Sequence, residues 1–231
     1  MKLIKKLYTL LILITLTSCG ELFTFEDAGQ AATGITMSHH EVDILVGDSL
    51  ILGTMLEHDT VKVSYYWSVY DNVDAIELIG RRVYAKKPGR AKVVVEAEGR
   101  DSLNNILTYT DSCYVNVFEW KNIESTEFLY ETVLYASLTI DDELLNDSLG
   151  ETRLVAVVDD EARGEAVMRK EYGIPYLEMR IYASWPGEKA RIECYHRRLR
   201  QHFVFENLQL SGGTYGTLSN LRKYNAKSRQ Q

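Results

Sequence analysis

The sequence predicts an all-β protein made of two tandem β-sandwich domains behind an N-terminal export segment. Three observations carry this expectation. From about Ile35 to Ala226 the chain is a series of short runs in which apolar and polar residues alternate, the period of a half-buried strand. Turn-forming Gly, Pro, Asn and Asp stand between the runs, and no helical stripe at i, i+3, i+4 competes. Finally, the chain has 231 residues; the roughly 210 that follow the export segment suit two sandwiches of about 100 residues each.

The N-terminus joins Lys2, Lys5 and Lys6 to an apolar run from Leu7 to Leu16 and closes with Thr17-Ser18-Cys19-Gly20. A spanning helix needs about 20 apolar residues, so residues 1–18 read as an export signal. The closing residues resemble the lipobox of bacterial lipoproteins. That resemblance implies cleavage before Cys19, which becomes the first mature residue and carries the lipid. Each buried methylene contributes about 0.8 kcal/mol, so two or three acyl chains anchor essentially permanently. Residues 19–35 read as a tether. Its Glu21, Glu26 and Asp27 resemble the surface-export signal of Bacteroidetes lipoproteins, which implies an outer-membrane, surface-exposed location.

The first domain is expected over residues 36–118, with strand runs Val42 to Val46, Leu50 to Met55, Val61 to Val69, Ala75 to Ile79, Val83 to Lys86, Ala91 to Ala97 and Ile106 to Val117. Gly47-Asp48 is expected to reverse the first pair and Gly80 the middle one. Pro88-Gly89 supplies a preset φ followed by a residue tolerant of positive φ. Val46-Gly47-Asp48, Tyr66-Trp67-Ser68 and Val83 to Val93 are similar to the bacterial Ig-like group 2 (BIG2) domain, which implies an Ig-like sandwich used as a spacer or adhesive module. Trp67 stands mid-strand, where a ring fills a core far more often than it stacks on a sugar.

Residues 119–126 read as a linker, with Phe118 and Trp120 packing at the junction. The second domain is expected over 127–226, with runs Val133 to Ile140, Leu154 to Val158, Tyr176 to Tyr182, Ala190 to Tyr195 and Phe203 to Phe205, followed by a tail at 227–231. Asp141-Asp142-Glu143 and Asp159-Asp160-Glu161 follow hairpin-turn chemistry. Leu154 to Ala166 together with Tyr176 to Tyr182 resemble a C-terminal β-domain of Bacteroidetes surface proteins. That domain commonly has a cysteine before its Arg-Gly pair, where this chain has Ala162.

Cys113 and Cys194 alternate in phase with Val115 and Ile192, so each reads as a small core hydrophobe on its own strand; the alternative in an oxidising compartment is a disulfide between the two domains. The net charge is −7, and because residues 1–18 hold three lysines and no acid, the mature chain stands at −10. Such a chain repels polyanions, and nucleic acid is excluded as a partner. The sequence lacks H-E-x-x-H, a G-x-S-x-G elbow and a P-loop; Gly212-Gly213-Thr214-Tyr215-Gly216 reads as a turn. Adjacent His39 and His40 point to opposite strand faces and make no metal pair. The acidic turns read as solvated rather than as Ca²⁺ ligands, and His196-Arg197-Arg198-Leu199-Arg200 as an exposed loop. No cofactor or metal is expected.

The expected ligand face follows from alternation. With Leu177, Met179 and Ile181 inward, Tyr176, Glu178, Arg180 and Tyr182 line the outside of one strand, and a paired strand adds Arg191, Glu193 and Tyr195. Rings beside paired charges suit a sugar; the rival account is a solvent face tied by cross-strand pairs. Asp-Ser/Thr-aliphatic triplets resemble Bacteroidetes O-glycosylation acceptors, with Thr60, Ser102 and Ser148 favoured over Ser49, which begins a strand. The expectation is a non-enzymatic surface lipoprotein, anchored in the membrane through lipid on Cys19 and presenting an adhesive or glycan-binding β-module on an Ig-like stem. The rival expectation is a structural component of a larger envelope assembly acting through protein contacts.

Overall fold

The computed structural model describes residues 34–57, 63–100, 103–122, 128–146 and 151–229. Cys19, Thr60, Ser102 and Ser148 lie outside the described residues. The chain is all-β, and among the described residues there is no helix.

In the first sandwich, β2 (Glu41–Leu45), β9 (Ile106–Phe118), β8 (Gly89–Arg100) and β5 (Ser64–Tyr70) form one sheet in that order; β3 (Ser49–Ile51), β7 (Arg82–Ala85) and β6 (Ile76–Ile79) form a second. β1 (Gly34–Met37) pairs with β4 (Thr54–Glu57). β2 runs parallel to β9, while β8 is antiparallel to both β9 and β5. The alternation dictates the core. Ala91, Val93, Val95 and Ala97 of β8 and Cys113 and Val115 of β9 are wholly buried against Val42, Ile44, Leu52 and Val83. Trp67 packs half-buried on the same cluster.

The second sandwich pairs two sheets across a separate core. One runs β11 (Glu143–Leu144), β10 (Tyr130–Ile140), β15 (Ile174–Ala183), β14 (Val167–Glu171), with β18 (Thr214–Tyr215) and β19 (Arg222–Ala226) added in parallel to β10. The other runs β13 (Glu161–Glu165), β12 (Thr152–Val158), β16 (Lys189–His196), β17 (Gln201–Gln209). Leu134, Leu154, Leu177, Met179, Ile181 and Ile192 fill the space between. Two-residue hairpin loops at Asp141-Asp142 and Asp159-Asp160 have φ of +51°, +68°, +47° and +67°, the left-handed pair that a type I′ turn requires and that Asp tolerates.

Cys113 and Cys194 sit in different core clusters, so no disulfide joins them. Three expectations need correction. Gly47-Asp48 does not reverse a strand pair: it carries the chain from β2 in one sheet to β3 in the other. The run Leu50 to Met55 is two strands, β3 and β4, in different sheets. The segment His196 to Arg200 is not simply an exposed loop, because it docks on the first sandwich. There the Asp43 N–H donates to the Arg200 carbonyl at 2.8 Å, and Arg197 forks onto the Asp48 carboxylate at 3.1 and 3.2 Å.

That docking belongs to a third cluster at the junction, where Trp120, Val155, Val157 and Tyr195 are buried with Leu45, Phe118 and Ala162 packed against them. Phe118 stacks face to face on His202, with centroids 4.1 Å apart, and meets Trp120 and Tyr195 edge-on. The backbone of Lys121 adds to β13, its N–H donating to the Asp160 carbonyl at 3.0 Å and its carbonyl accepting from Ala162 at 2.9 Å.

Candidate ligand groove on the second sandwich

The outer face of β15 is as the alternation requires: Leu177, Met179 and Ile181 are buried, and Glu178, Arg180 and Tyr182 point away from the core. What turns part of this face into a groove is a glycine on another strand. A Cβ at Gly164 of β13 would stand 2.3 Å from the Arg180 carbonyl oxygen. Only a residue without a side chain allows β13, an edge of the opposite sheet, to close onto β15 at that point.

The result is a groove of about 500 Å³ lined by Tyr182, Arg180, Glu178, Arg169, Arg163 and Arg153 among others. Each guanidinium has a carboxylate beside it. Arg153 forks onto Glu165 at 2.7 and 2.9 Å, Arg163 donates to Glu161 at 2.8 Å, Arg180 to Glu131 at 3.1 Å, and Arg169 stands 3.5 Å from Glu178. The Glu165 hydrogen bond and charge raise the Arg153 pKa further, against the opposing effect of burial. Arg163 is itself buried, lies 4.7 Å above the Phe128 ring and stands 4.0 Å from the buried Glu188 carboxylate. Of the four carboxylates, Glu165 and Glu178 line the groove itself, while Glu131 and Glu161 pair their guanidinium groups from outside the lining. The lining therefore sets planar donors beside acceptors, groups that can bond neighbouring hydroxyls.

The structure divides the predicted site. Glu178, Arg180 and Tyr182 share the groove, whereas Tyr176 lies with Tyr172, Ile174 and Leu221 along a separate apolar cleft of about 250 Å³. Both tyrosines have ring neighbours: Tyr182 stacks on Phe128 at 5.9 Å and Tyr176 lies 6.1 Å from Tyr135. Arg191, Glu193 and Tyr195 do not join this face. They stand on β16, which pairs with β12 and β17 in the other sheet. Glu193 and Tyr195 are buried at the junction instead. A two-residue period gives the face of a strand but not the sheet to which it belongs.

At the junction, Glu193 accepts from Trp120 Nε1 at 2.8 Å, Arg191 Nε at 2.9 Å and His202 Nε2 at 2.9 Å. Burial pushes its pKa up, but these donors outweigh burial and hold it at about 2. Burial drives the Cys113 thiol up to about 12, far from a reactive thiolate. His39 bonds Ser38 while His40 stands 3.6 Å from Asp111, so the adjacent histidines diverge. Among the described residues, no group of three or more His, Cys, Asp or Glu is placed to hold a metal ion.

The residues missing from the sequence reading are Arg153, Arg163, Gly164 and Arg169. They arrive from β12, β13 and β14; the Arg163-Gly164 pair stands out in the sequence, but it assigns no binding role to either residue or to Arg153 and Arg169.

The chain matches no protein-family model and no curated protein. Among solved structures it is similar to domains 5–6 of the S-layer protein SbsC, at 10% identity and a TM-score of 0.27, over 81% of this chain and 99% of that one. It is also similar to the mixed-linkage glucan utilization locus protein SGBP-B of Bacteroides ovatus, solved with a mixed-linkage heptasaccharide, at 11% identity and a TM-score of 0.23, over 76% of this chain. A third is the human Desmocollin-1 ectodomain, at 11% identity and a TM-score of 0.27, over 82% of this chain. The chain spans 43% and 39% of the last two. At these scores the likenesses carry no argument about ligand or partner.

Proposed function

We propose that the protein is a non-enzymatic cell-surface lipoprotein, held in the outer membrane by lipid on Cys19, whose second sandwich binds a neutral saccharide in the β13–β15 groove. The first sandwich is its stem. The observation that carries the reading is the groove, where Tyr182 offers a ring while Arg163, Arg169, Arg180, Glu165 and Glu178 offer donors and acceptors. Sugar recognition asks for that combination, an apolar ring against C–H faces with bidentate polar groups around it. A junction with its own aromatic core supports the stem role, because it holds the groove at a fixed orientation to the stem.

A glycan array probed with the full chain tests the reading. Tyr182→Ala is expected to abolish binding and Tyr176→Ala to leave it intact. The reverse result would move the site to the apolar cleft beside Tyr176, and no bound glycan at all would overturn the reading.

The same reading extends to Thr60, Ser102 and Ser148 as O-glycosylation acceptors, each of which follows an Asp and precedes an aliphatic residue. The bare lipidated mass of chain from the native host would refute it.

A further inference from the structure

The end strand of a sheet presents unpaired backbone N–H and C=O groups, and proteins blunt such edges with charge, proline, shortness or a cover. Among the described residues the strand edges follow that rule with one exception; β18, two residues long, and β19, which carries Arg222 and Lys223, are blunted like the rest. β14 carries Arg169, Lys170 and Glu171, β13 carries Glu161, Arg163 and Glu165, β17 carries Glu206, β6 carries Glu77 and β11 carries Glu143. β2 carries Glu41 and Asp43 and receives the second sandwich at Asp43. β4 carries Glu57; β1 and β3 are uncharged but only four and three residues long. β5 is the exception. Ser64-Tyr65-Tyr66-Trp67-Ser68-Val69-Tyr70 is seven residues long, holds no charge and no proline, and ends its sheet with no strand on its free side among the described residues. Tyr65, Tyr66 and Tyr70 are 41%, 55% and 55% exposed.

We propose that β5 is a self-association edge, at which a second copy of this chain adds its own β5 antiparallel about a two-fold axis at Trp67. The strand is complementary to itself in this register. Ser64 stands opposite Tyr70, Tyr65 opposite Val69 and Tyr66 opposite Ser68, so each tyrosine meets a smaller side chain. In a chain with 26% charged residues and a net charge of −7, this edge brings no like charges together. On one face the pairing lays Tyr65, Trp67 and Val69 beside their symmetry mates and continues the core layer; on the other it aligns Tyr66 and Tyr70 with serines. Directly opposed side chains in such a pair lie about 5 Å apart, close enough for ring-to-aliphatic contact. The product is one sheet of eight strands joining two first sandwiches, an isologous contact that closes at the dimer. Seven residues of edge bury less than a standard interface of about 1,600 Å², so the association is weak and depends on concentration. It stands apart from the saccharide groove, and neither requires the other.

Light scattering coupled to size exclusion, run on the full chain over a hundredfold range of concentration, tests the proposal. The wild-type mass is expected to rise towards twofold. Tyr66→Lys/Ser68→Lys sets lysine opposite lysine across the axis and is expected to stay monomeric, as is Tyr66→Glu/Ser68→Glu; both keep the wild-type melting temperature because the two positions face away from the core. An equimolar mixture of the two variants is expected to regain the doubled mass. A wild-type chain that stays monomeric throughout, a lysine variant that associates as before, or a mixture that does not recover would each overturn the proposal.

Discussion

Glu193 shows how one side chain can organise an interface. It is 4% exposed, yet it is an ion bonded to Trp120, Arg191 and His202, and those donors hold its pKa at about 2. A carboxyl group whose folded pKa lies below its unfolded value of about 4.3 adds stability that is complete above that value and disappears as pH falls through the folded pKa. The junction should therefore keep its full strength at neutral pH and weaken between about pH 4.3 and pH 2. Chemical unfolding measured across that window checks this, and Glu193→Gln should flatten the dependence. Glu193→Ala leaves the buried Trp120 N–H without its acceptor and removes the same partner from the Arg191 Nε and the His202 ring, for an expected loss of about 1–3 kcal/mol. At the same scale, Cys113 should resist iodoacetamide in the folded protein and react on unfolding, since its thiol is buried and its pKa stands near 12.

Among the elements, β8 was legible in the sequence because it buries alternate residues from Ala91 to Gly99 without a break, the second half of β9 because Cys113, Val115 and Val117 are buried in the same way, and Trp67 read correctly as packed on the core. The Asp141-Asp142 and Asp159-Asp160 hairpins were legible too, since two-residue loops of this chemistry follow from local backbone preference. Sheet membership was not. Arg191, Glu193 and Tyr195 alternate as well as Tyr176 to Tyr182 do, and nothing local says that β16 pairs with β12 rather than with β15. The groove was hidden for the same reason, since it exists only where Gly164 lets an edge of one sheet approach the other. Gly164→Ala should force the strands apart, cost about 1–3 kcal/mol as an overpacked site and weaken saccharide binding. Denaturant titration paired with glycan binding checks both effects. Unchanged stability would mean that the approach of β13 to the Arg180 carbonyl is looser than 2.3 Å implies.

For the whole molecule, the decisive feature is that two sandwiches with separate cores share a third cluster. Asp43 of β2 is 7% exposed and accepts from Asn116 of its own sandwich at 2.9 Å, from the His202 N–H of the second sandwich at 2.8 Å and from Arg229 of the C-terminal segment. The Arg229 backbone also bonds the Gln201 side-chain amide, its carbonyl accepting from Nε2 at 3.2 Å and its N–H donating to Oε1 at 2.9 Å, and its guanidinium pairs with Glu41 at 3.1 Å, so the segment after β19 fastens the second sandwich to the first. An ordinary inter-domain contact leaves tandem domains free to move and to melt separately. Here the aromatic cluster of Phe118, Trp120, Tyr195 and His202 and the buried Asp43 tie the two together, so calorimetry should record one transition. Asp43→Ala removes the shared acceptor without creating a cavity in either main core. It should therefore split the transition into two, with the individual sandwiches still folded and the scattering profile shifted towards a longer, hinged particle. Two transitions already present in the unaltered chain would show that the third cluster does not couple the sandwiches, and the stem would then be a hinge rather than a strut.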